Sequence, residues 1–162
     1  MMRRLASLKF AAVLFALLSI AACSSDPKNN EVTSGEPAKP GSERDFIVNV
    51  GDRVFFETDI TTLNDASKET LRRQAAWLKL YPSVKIQIEG HADERGTREY
   101  NLGLSARRGS TTKAFLVSQG IDPSRISTIA YGKERPVALC DAESCWSQNR
   151  RAVTLITSGA AS

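Results

Sequence analysis

The sequence is poor in the side chains that bind metals. Its 162 residues include one histidine, His91, and three cysteines. Structural zinc needs four nitrogen or sulfur donors, and a catalytic metal needs several converging ligands. No cysteine or second histidine is placed to join His91. We therefore expect no metal and no cofactor, and we assign His91 a structural role at the end of a strand.

The sequence also lacks an apolar run long enough to cross a bilayer, which takes roughly 20 residues. The longest run covers residues 10–20, which are eleven residues. Three basic residues precede it, and the small residues Ala21 and Ala22 follow it. This order is typical of a secretory signal peptide. We predict that residues 1–22 are removed and that the mature protein has no transmembrane helix.

Once the signal peptide is removed, the chain has no marked excess of positive or negative charge. The formal net charge of +4 comes from 22 Lys+Arg against 18 Asp+Glu. Arg3, Arg4 and Lys9 belong to the signal, so 22 less three leaves 19 basic residues in the mature chain. A nearly neutral chain gives no electrostatic reason to expect nucleic acid as a partner.

Cys23 stands at the predicted cleavage point. The residues before it resemble the bacterial lipobox, in which the cysteine becomes the acylated N-terminus and carries palmitate-type chains. Ser24, rather than Asp, in the next position favours the outer membrane as the destination. Each buried CH₂ contributes about 0.8 kcal/mol, so several acyl chains hold the protein firmly. The alternative is an ordinary signal peptide followed by a free cysteine.

Residues 24–44 are rich in Ser, Asn, Pro, Gly, Lys and Glu, and Val32 is their single large aliphatic residue. Such a segment cannot bury enough apolar surface to offset the entropy of ordering it. We predict a flexible tether over residues 23–44, with a reach of roughly 25 Å as a coil and about 65 Å when extended. The folded domain is placed at residues 45–158.

The other two cysteines, Cys140 and Cys145, are five positions apart. In an exported protein, an even pair at short spacing predicts a disulfide. A loop this short gains only about 2 kcal/mol from the bond. The alternative, a metal site, lacks further ligands.

The hydrophobic pattern predicts strands alternating with helices. Alternating apolar residues indicate strands at residues 46–50, 54–56, 84–89, 126–131 and 152–157. Helical spacing predicts one helix from the N-cap Asn64 to just before Pro82, and a second that ends at Gly120. Strands that alternate with helices define an α/β (α+β) fold, in which one sheet carries helices packed on it.

The stretch after the third predicted strand is the candidate site. Asp93 follows the strand end, where α/β sheets gather binding residues. Asn101, Leu104 and Arg108 share one helix face. An arginine that points from this face toward Asp93 would place opposite charges around one small space and bind a zwitterion. The alternative is a solvated cluster, in which Asp93 and Arg108 pair with each other or with Glu94, Arg95 and Arg107.

These residues also lie in recognisable motifs. They are EGHADERG at 89–96, YN at 100–101, LS at 104–105, RR at 107–108, YGKERP at 131–136 and NRRAV at 149–153. Together they resemble the OmpA-like peptidoglycan-binding domain over about residues 46–156. Within that family the chain is similar to the lipoprotein members, and the cysteine pair favours their alphaproteobacterial branch.

The resemblance implies a β-α-β-α-β-β domain that binds peptidoglycan without catalysing a reaction. Its ligand would be meso-diaminopimelate of the stem peptide, which carries an ammonium and a carboxylate on one carbon. Asp93 and Arg108 would be the central ligands, with further binding residues at Asp59, Arg95, Thr97, Asn101 and Leu104. Thr58 replaces a family aromatic. The family also implies TolB and other Tol proteins as partners in envelope integrity and division.

Two other functions would make different use of the same residues. Asp93 and Glu94 would form the acid–base pair of a wall-modifying enzyme only if they faced each other across a bond, and adjacent residues on a short loop often diverge. A purely structural spacer would bind the wall without a pocket. Trp77 fits core packing, and Trp146 is a partner-contact candidate. Arg150 and Arg151 are expected to pair with nearby acids, without a ligand role.

Overall fold

The computed structural model describes residues 37–161. The signal peptide, Cys23 and the tether as far as residue 36 lie outside the described residues. The helices are α1 (Glu43–Asp45), a π-helix (Phe46–Val50), α2 (Asp65–Leu80), α3 (Arg98–Ser118), a 3₁₀ turn (Pro123–Arg125) and α4 (Glu143–Asn149). The strands are β1 (Arg53–Phe55), β2 (Lys85–Gly90), β3 (Ile126–Ala130) and β4 (Arg151–Ser158).

The four strands form one mixed sheet in the order β1-β4-β2-β3. Strand β4 is antiparallel to both β1 and β2, whereas β2 and β3 are parallel. A parallel pair needs a crossover connection, and α3 supplies it. This arrangement confirms the predicted α/β (α+β) fold with its β-α-β-α-β-β order. The short α4 in the last connection was not predicted.

Helix α2 follows its sequence signals closely. The side chain of Asn64 accepts a hydrogen bond from the backbone N–H of Ser67 at 2.8 Å and so caps the helix. Leu71, Ala75 and Leu78 are buried, as their spacing predicted. Trp77 is buried as well and packs edge-on against Phe46, with ring centroids 4.9 Å apart. Its expected role in the core is therefore confirmed.

The prediction of a strand over residues 46–50 is wrong, because this segment is helical. Phe46 and Val50 are buried, whereas Ile47 and Val48 are exposed. Residues four apart lie on one helical face, so burial of Phe46 and Val50 beside α2 outweighs the β-propensity of Ile47 and Val48. The Asp45 carboxylate fixes the start of this helix against α2, because it accepts a hydrogen bond from Trp77 Nε1 at 2.8 Å.

The last residues assigned to the tether lie against the domain. Gly41 is buried, and its N–H donates to Asp45 Oδ2 at 2.9 Å. Its carbonyl accepts from the N–H of Ala161 at 3.0 Å, close to the other end of the described chain. Both ends of the described chain are therefore joined at one place. No helix within residues 37–161 is long and apolar enough to cross a membrane.

The connection between β3 and β4 carries the cysteine pair. Cys140 and Cys145 are joined by a disulfide with Cα atoms 5.6 Å apart. The bond brackets the start of α4, and Trp146 follows directly. The disulfide therefore links the last connection to the helix that presents Trp146.

Helix α3 approaches the end of β2 so closely that only glycine fits there. A Cβ at Gly90 would lie 2.0 Å from the carbonyl oxygen of Ser105. The clash would be between the new Cβ and the backbone of α3, so no flexible side chain can move aside to relieve it. This contact sets the separation between β2 and α3, and therefore the width of any site between the loop after β2 and the start of α3.

We expect Gly90→Ala to lower the free energy of unfolding by about 3 kcal/mol or more, because two backbone segments must separate. The matched control is Gly103→Ala in α3. A Cβ there meets only the flexible Arg107 side chain at 3.4 Å, so we expect a gain of up to about 1 kcal/mol. Urea denaturation followed by circular dichroism measures both. Equal stability of the two variants would contradict the close contact.

Candidate functional site

The predicted site residues surround one pocket. It has a volume of about 280 Å³ and lies among the loop after β1, the loop after β2 and the first turns of α3. Its lining residues are Thr58, Asp59, Asp93, Arg95, Gly96, Tyr100, Asn101 and Leu104. Five of the seven residues expected to bind ligand are among them. Thr97 and Arg108 are not.

Asp93 is the buried carboxylate of this pocket, with 9% of its side chain exposed. Arg95 donates to both of its oxygens, at 3.2 Å to Oδ1 and 2.6 Å to Oδ2, and Arg150 Nη1 is 3.3 Å from Oδ2. Burial raises the pKa of Asp93, but the hydrogen bonds from Arg95 and Arg150 outweigh it and lower the pKa below its usual value. The pocket therefore contains a negative charge at neutral pH.

Arg95 partly covers the pocket, with 38% of its side chain exposed. Besides Asp93, its guanidinium donates to the hydroxyl of Thr58 at 3.3 Å. Its central carbon also lies 4.2 Å from the ring centroid of Trp146, a cation–π distance. Thr58, which the resemblance predicted to replace an aromatic side chain, thus supplies a hydroxyl that accepts from Arg95.

Arg150 is the second cation on Asp93, and it is almost fully buried, with 3% of its side chain exposed. Its Nε donates to the carbonyl of Phe56 at 3.0 Å, and its terminal nitrogens also contact the carboxylate of Glu143. Burial opposes its charge, but the hydrogen bonds that it donates to Glu143 and Asp93 outweigh burial and raise its pKa. The expectation that this arginine pairs with nearby acids is confirmed, although one of those acids lies in the pocket.

Arg108 lies beneath the pocket and is fully buried. Its guanidinium donates to three backbone carbonyls at 3.0 Å each, those of Glu57, Ile60 and His91. Burial lowers its pKa to about 10, so the side chain remains charged at neutral pH. All three of these hydrogen bonds are to backbone carbonyls, and Arg108 forms no ion pair with Asp93. The predicted contact between Arg108 and a ligand stays a prediction.

The remaining wall combines polar and apolar side chains from α3. Asn101 is buried and donates to the carbonyl of Arg95 at 2.7 Å. Leu104 is buried one turn further on. The hydroxyl of Tyr100 donates to the carboxylate of Asp59 across the mouth, and this bond raises the pKa of Tyr100. The predicted helix face of Asn101 and Leu104 therefore does turn toward Asp93.

Two residues outside the lining hold the loop after β2 in place. The hydroxyl of Thr97 accepts from the N–H of Tyr100 at 3.2 Å and caps α3. Lys133 Nζ donates to the carbonyls of Glu94 and Gly96 at 3.0 and 2.8 Å. Thr97 thus contributes to the shape of the loop and does not line the pocket.

His91 has the buried position expected of a structural residue. Its ring stacks on Tyr131 with centroids 5.6 Å apart, and its carbonyl supports Arg108. Nε2 is 3.4 Å from Glu89 Oε2, and neither ring nitrogen has a hydrogen-bond partner among residues 37–161. Burial, together with the positive charges of Arg151 and Arg135, lowers its pKa to about 4. Across these described residues there is no cluster of three or more His, Cys, Asp or Glu side chains suited to a metal.

The site includes residues to which sequence reasoning gave no binding role, namely Arg150, Tyr100 and Gly96. Arg150 lies between α4 and β4, 57 positions beyond Asp93 in the chain. No local pattern joins them, because β4 pairs with both β1 and β2 and so carries Arg150 to the loop. Tyr100 lay within a motif already singled out, next to Asn101, and that adjacency was the available signal.

Comparison with known proteins agrees with the fold. The family model described as the OmpA family matches residues 55–150. The matched range contains all of the pocket-lining residues. The chain belongs to the OmpA family.

Relatives of the chain within that family include lipoproteins. It is 56% identical over 146 residues to the peptidoglycan-associated lipoprotein of Agrobacterium fabrum, covering 86% of this chain and 82% of that protein. It is 51% identical over 164 residues to the one of Brucella suis, covering 96% and 97%. The crystal structure of the peptidoglycan-associated lipoprotein from Burkholderia pseudomallei matches with a TM-score of 0.67 at 33% identity, covering 72% of this chain and all of that one. The predicted family resemblance is confirmed.

His91 generates a prediction for the pH dependence of stability. Its pKa is about 4 in the folded protein and about 6.5 in an unfolded chain. The folded pKa is the lower one, so its contribution is complete above pH 6.5 and is lost as the pH falls toward 4. We expect wild-type unfolding free energy to fall in this window by about 3 kcal/mol more than that of His91→Gln. Parallel slopes in denaturant titrations from pH 7 to 4 would refute this.

Proposed function

We propose that the protein binds peptidoglycan non-covalently and catalyses no reaction on it. The ligand is the zwitterionic centre of meso-diaminopimelate in the stem peptide. The observation that carries the proposal is the ionised, nearly buried Asp93 in a pocket that also contains a partly exposed guanidinium. A carboxylate accepts from an ammonium, and a guanidinium binds a carboxylate.

The relatives support the same ligand class. Proteins at 51–56% identity are named for their association with peptidoglycan, and their similarity spans the pocket. Asp93 supplies the acceptor for the ligand ammonium, and Asn101 and Leu104 form the wall against which the rest of the ligand packs. Arg108 and Asp59 add a buried positive charge and an exposed negative charge around the same space.

The two carboxylates that an enzyme would need are each bonded to other side chains. Asp93 accepts from Arg95 and Arg150, whereas Glu94 Oε1 accepts from Trp146 Nε1 at 2.9 Å. The two arginines keep Asp93 ionised, so it is unsuited to the general-acid role, and this favours a binding pocket over an acid–base pair.

We expect Asp93→Asn to weaken binding to purified peptidoglycan sacculi roughly ten- to hundredfold, because one charge-assisted hydrogen bond to the ammonium is lost. Co-sedimentation of the full-length protein with sacculi measures the bound fraction. The asparagine keeps the shape and can still accept from Arg95, so the fold should persist, as circular dichroism will verify.

The matched control is Asp141→Asn, which removes the same charge from an exposed loop. It should bind like the wild type. Equal binding by folded Asp93→Asn would overturn the pocket assignment. Release of soluble fragments from the sacculi would show an enzyme instead.

The proposal includes a membrane anchor. Cleavage before Cys23 and acylation of its thiol and amino group would attach the domain to the outer membrane through the tether residues that precede Gly41, with the domain facing the periplasm. Together, this anchor and the wall-binding pocket link the outer membrane to the wall. The protein does so within the Tol–Pal system, with TolB as a partner. The sequence signals around Cys23 and the named relatives support this placement.

We expect Cys23→Ser to move the protein from the outer-membrane fraction to the soluble fraction, because the acyl chains are lost. Density-gradient fractionation with immunodetection measures the distribution. The control is Cys140→Ser with Cys145→Ser, which leaves the anchor intact. Persistence of Cys23→Ser in the membrane fraction would refute lipid anchoring through this residue.

A further inference from the structure

Helix α4 lacks the contacts that usually hold a helix in place. Of its seven residues, Asn149 is the only one that is buried. Its N-cap residue, Ala142, makes no side-chain hydrogen bond to the first turn. A helix this short is not stable by itself, and most helical stability in proteins comes from packing of an apolar face. The position of α4 therefore depends on a few specific contacts.

These contacts differ between the two ends of α4. At the last turn, the Asn149 side chain accepts from the N–H of Val137 at 2.8 Å and donates to the carbonyl of Ala138 at 2.8 Å. At the first turn, the bond between Cys145 and Cys140 joins the helix to the preceding loop. The last turn is thus held by hydrogen bonds, whereas the first turn is held by the disulfide.

The first turn has one further tie, between Glu143 and Arg150. The Glu143 carboxylate contacts the terminal nitrogens of this arginine. The Glu143 side chain is 60% exposed, so water competes for the carboxylate and the ion pair contributes little. Glu143 also lies inside the loop that the disulfide closes. This contact cannot replace the disulfide as the support of the first turn.

Trp146, directly after Cys145, connects α4 with the loop after β2. Its Nε1 donates to Glu94 Oε1 at 2.9 Å, and its ring centroid lies 4.2 Å from the central guanidinium carbon of Arg95. Both partners belong to the loop that carries the pocket. A shift of the first turn of α4 would remove both contacts from that loop.

The disulfide is accessible to a reductant. Cys140 is exposed, and Cys145 is half-buried. Thiol–disulfide exchange begins with the attack of a thiolate on an accessible sulfur, so exposed disulfides are the labile ones. The two cysteines are five positions apart, and closing so short a loop restricts the unfolded chain little. We therefore expect the domain to remain folded after reduction.

We propose that the Cys140–Cys145 bond is a reducible clamp on α4 and a substrate for a dithiol reductant. A thiolate of the reductant attacks Cys140 Sγ and expels Cys145 as a thiolate. The second thiol of the reductant then attacks the mixed disulfide and releases Cys140. The reductant leaves as a disulfide, having given two electrons and two thiol protons to the cysteines.

Reduction releases the first turn of α4, and Trp146 leaves the loop after β2. Because this loop then loses a hydrogen bond and a cation–π contact, it becomes less well ordered and its affinity for the wall falls. This second step rests on the proposed function. The release of α4 does not.

Hydrogen–deuterium exchange of the full-length protein, with dithiothreitol as the probe reductant, tests the release of α4. We expect reduction to speed amide exchange in the peptide that contains residues 143–149 roughly tenfold or more, while residues 85–90 of β2 stay protected. Reoxidation with oxidised glutathione should restore the protection. The control, Cys140→Ser with Cys145→Ser, should exchange rapidly with and without dithiothreitol.

Unchanged exchange in α4 after reduction would overturn the clamp. Loss of protection in β2 as well would overturn it too, because the disulfide would then stabilise the whole domain rather than one helix.

Co-sedimentation with sacculi tests the effect on the pocket. We expect reduction to weaken binding by the wild type roughly three- to tenfold. The matched variant is Trp146→Leu, which keeps the disulfide but lacks both contacts with the loop. In its oxidised form it should bind like the reduced wild type, and reduction should change its binding no further.

Equal binding by the oxidised and reduced wild type would overturn the link between the clamp and the pocket. A further loss of the same size when Trp146→Leu is reduced would also overturn it, because the effect would then not pass through Trp146. Failure of the oxidised wild type to bind would refute the proposed function, and the exchange measurement would still decide whether the clamp exists.

Discussion

The site depends on the burial of one charged side chain, Arg108. A guanidinium taken out of water is costly unless its donors are satisfied. Here its three hydrogen bonds go to backbone carbonyls at residues 57, 60 and 91, which belong to two separate loops. Phe56 lies beneath it, with its ring centroid 5.1 Å away. The cost of leaving this charge unsatisfied holds both loops in place, and the pocket forms between them.

Asp93 is likewise a nearly buried charge that is satisfied by hydrogen bonds, and it lies above Arg108 in the pocket. Two arginines keep the carboxylate ionised although it is nearly buried, and they differ in exposure. The buried Arg150 ties β4 to the pocket through Phe56, because its Nε donates to that carbonyl and its own carbonyl accepts from that N–H at 2.9 Å. The more exposed Arg95 contacts solvent, Thr58 and Trp146. The pocket thus combines one buried and one partly exposed ion pair on the same carboxylate.

The connection between β3 and β4 extends the site beyond the two loops. Its disulfide precedes Trp146, which stacks on Arg95 and donates to Glu94. Lys133, at the beginning of the connection, donates to the loop backbone on both sides of Arg95. Residues far along the chain thus contact Arg95 and the loop that carries it. The close contact at Gly90 sets the distance between β2 and α3 that makes these bonds possible.

The sequence by itself determined the elements with strong local signals. The cap at Asn64, the stop before Pro82, the alternation along β2 and the shared face of Asn101 and Leu104 each depend on residues a few positions apart. The motifs also placed Asp93 and Asp59 at one pocket. Only the tertiary structure decided that Phe46 and Val50 bury one helical face, that Arg150 joins Asp93, and that Arg108 turns to carbonyls beneath the pocket. These outcomes depend on which distant groups meet and which charges must be satisfied once water is excluded, and no local spacing encodes that.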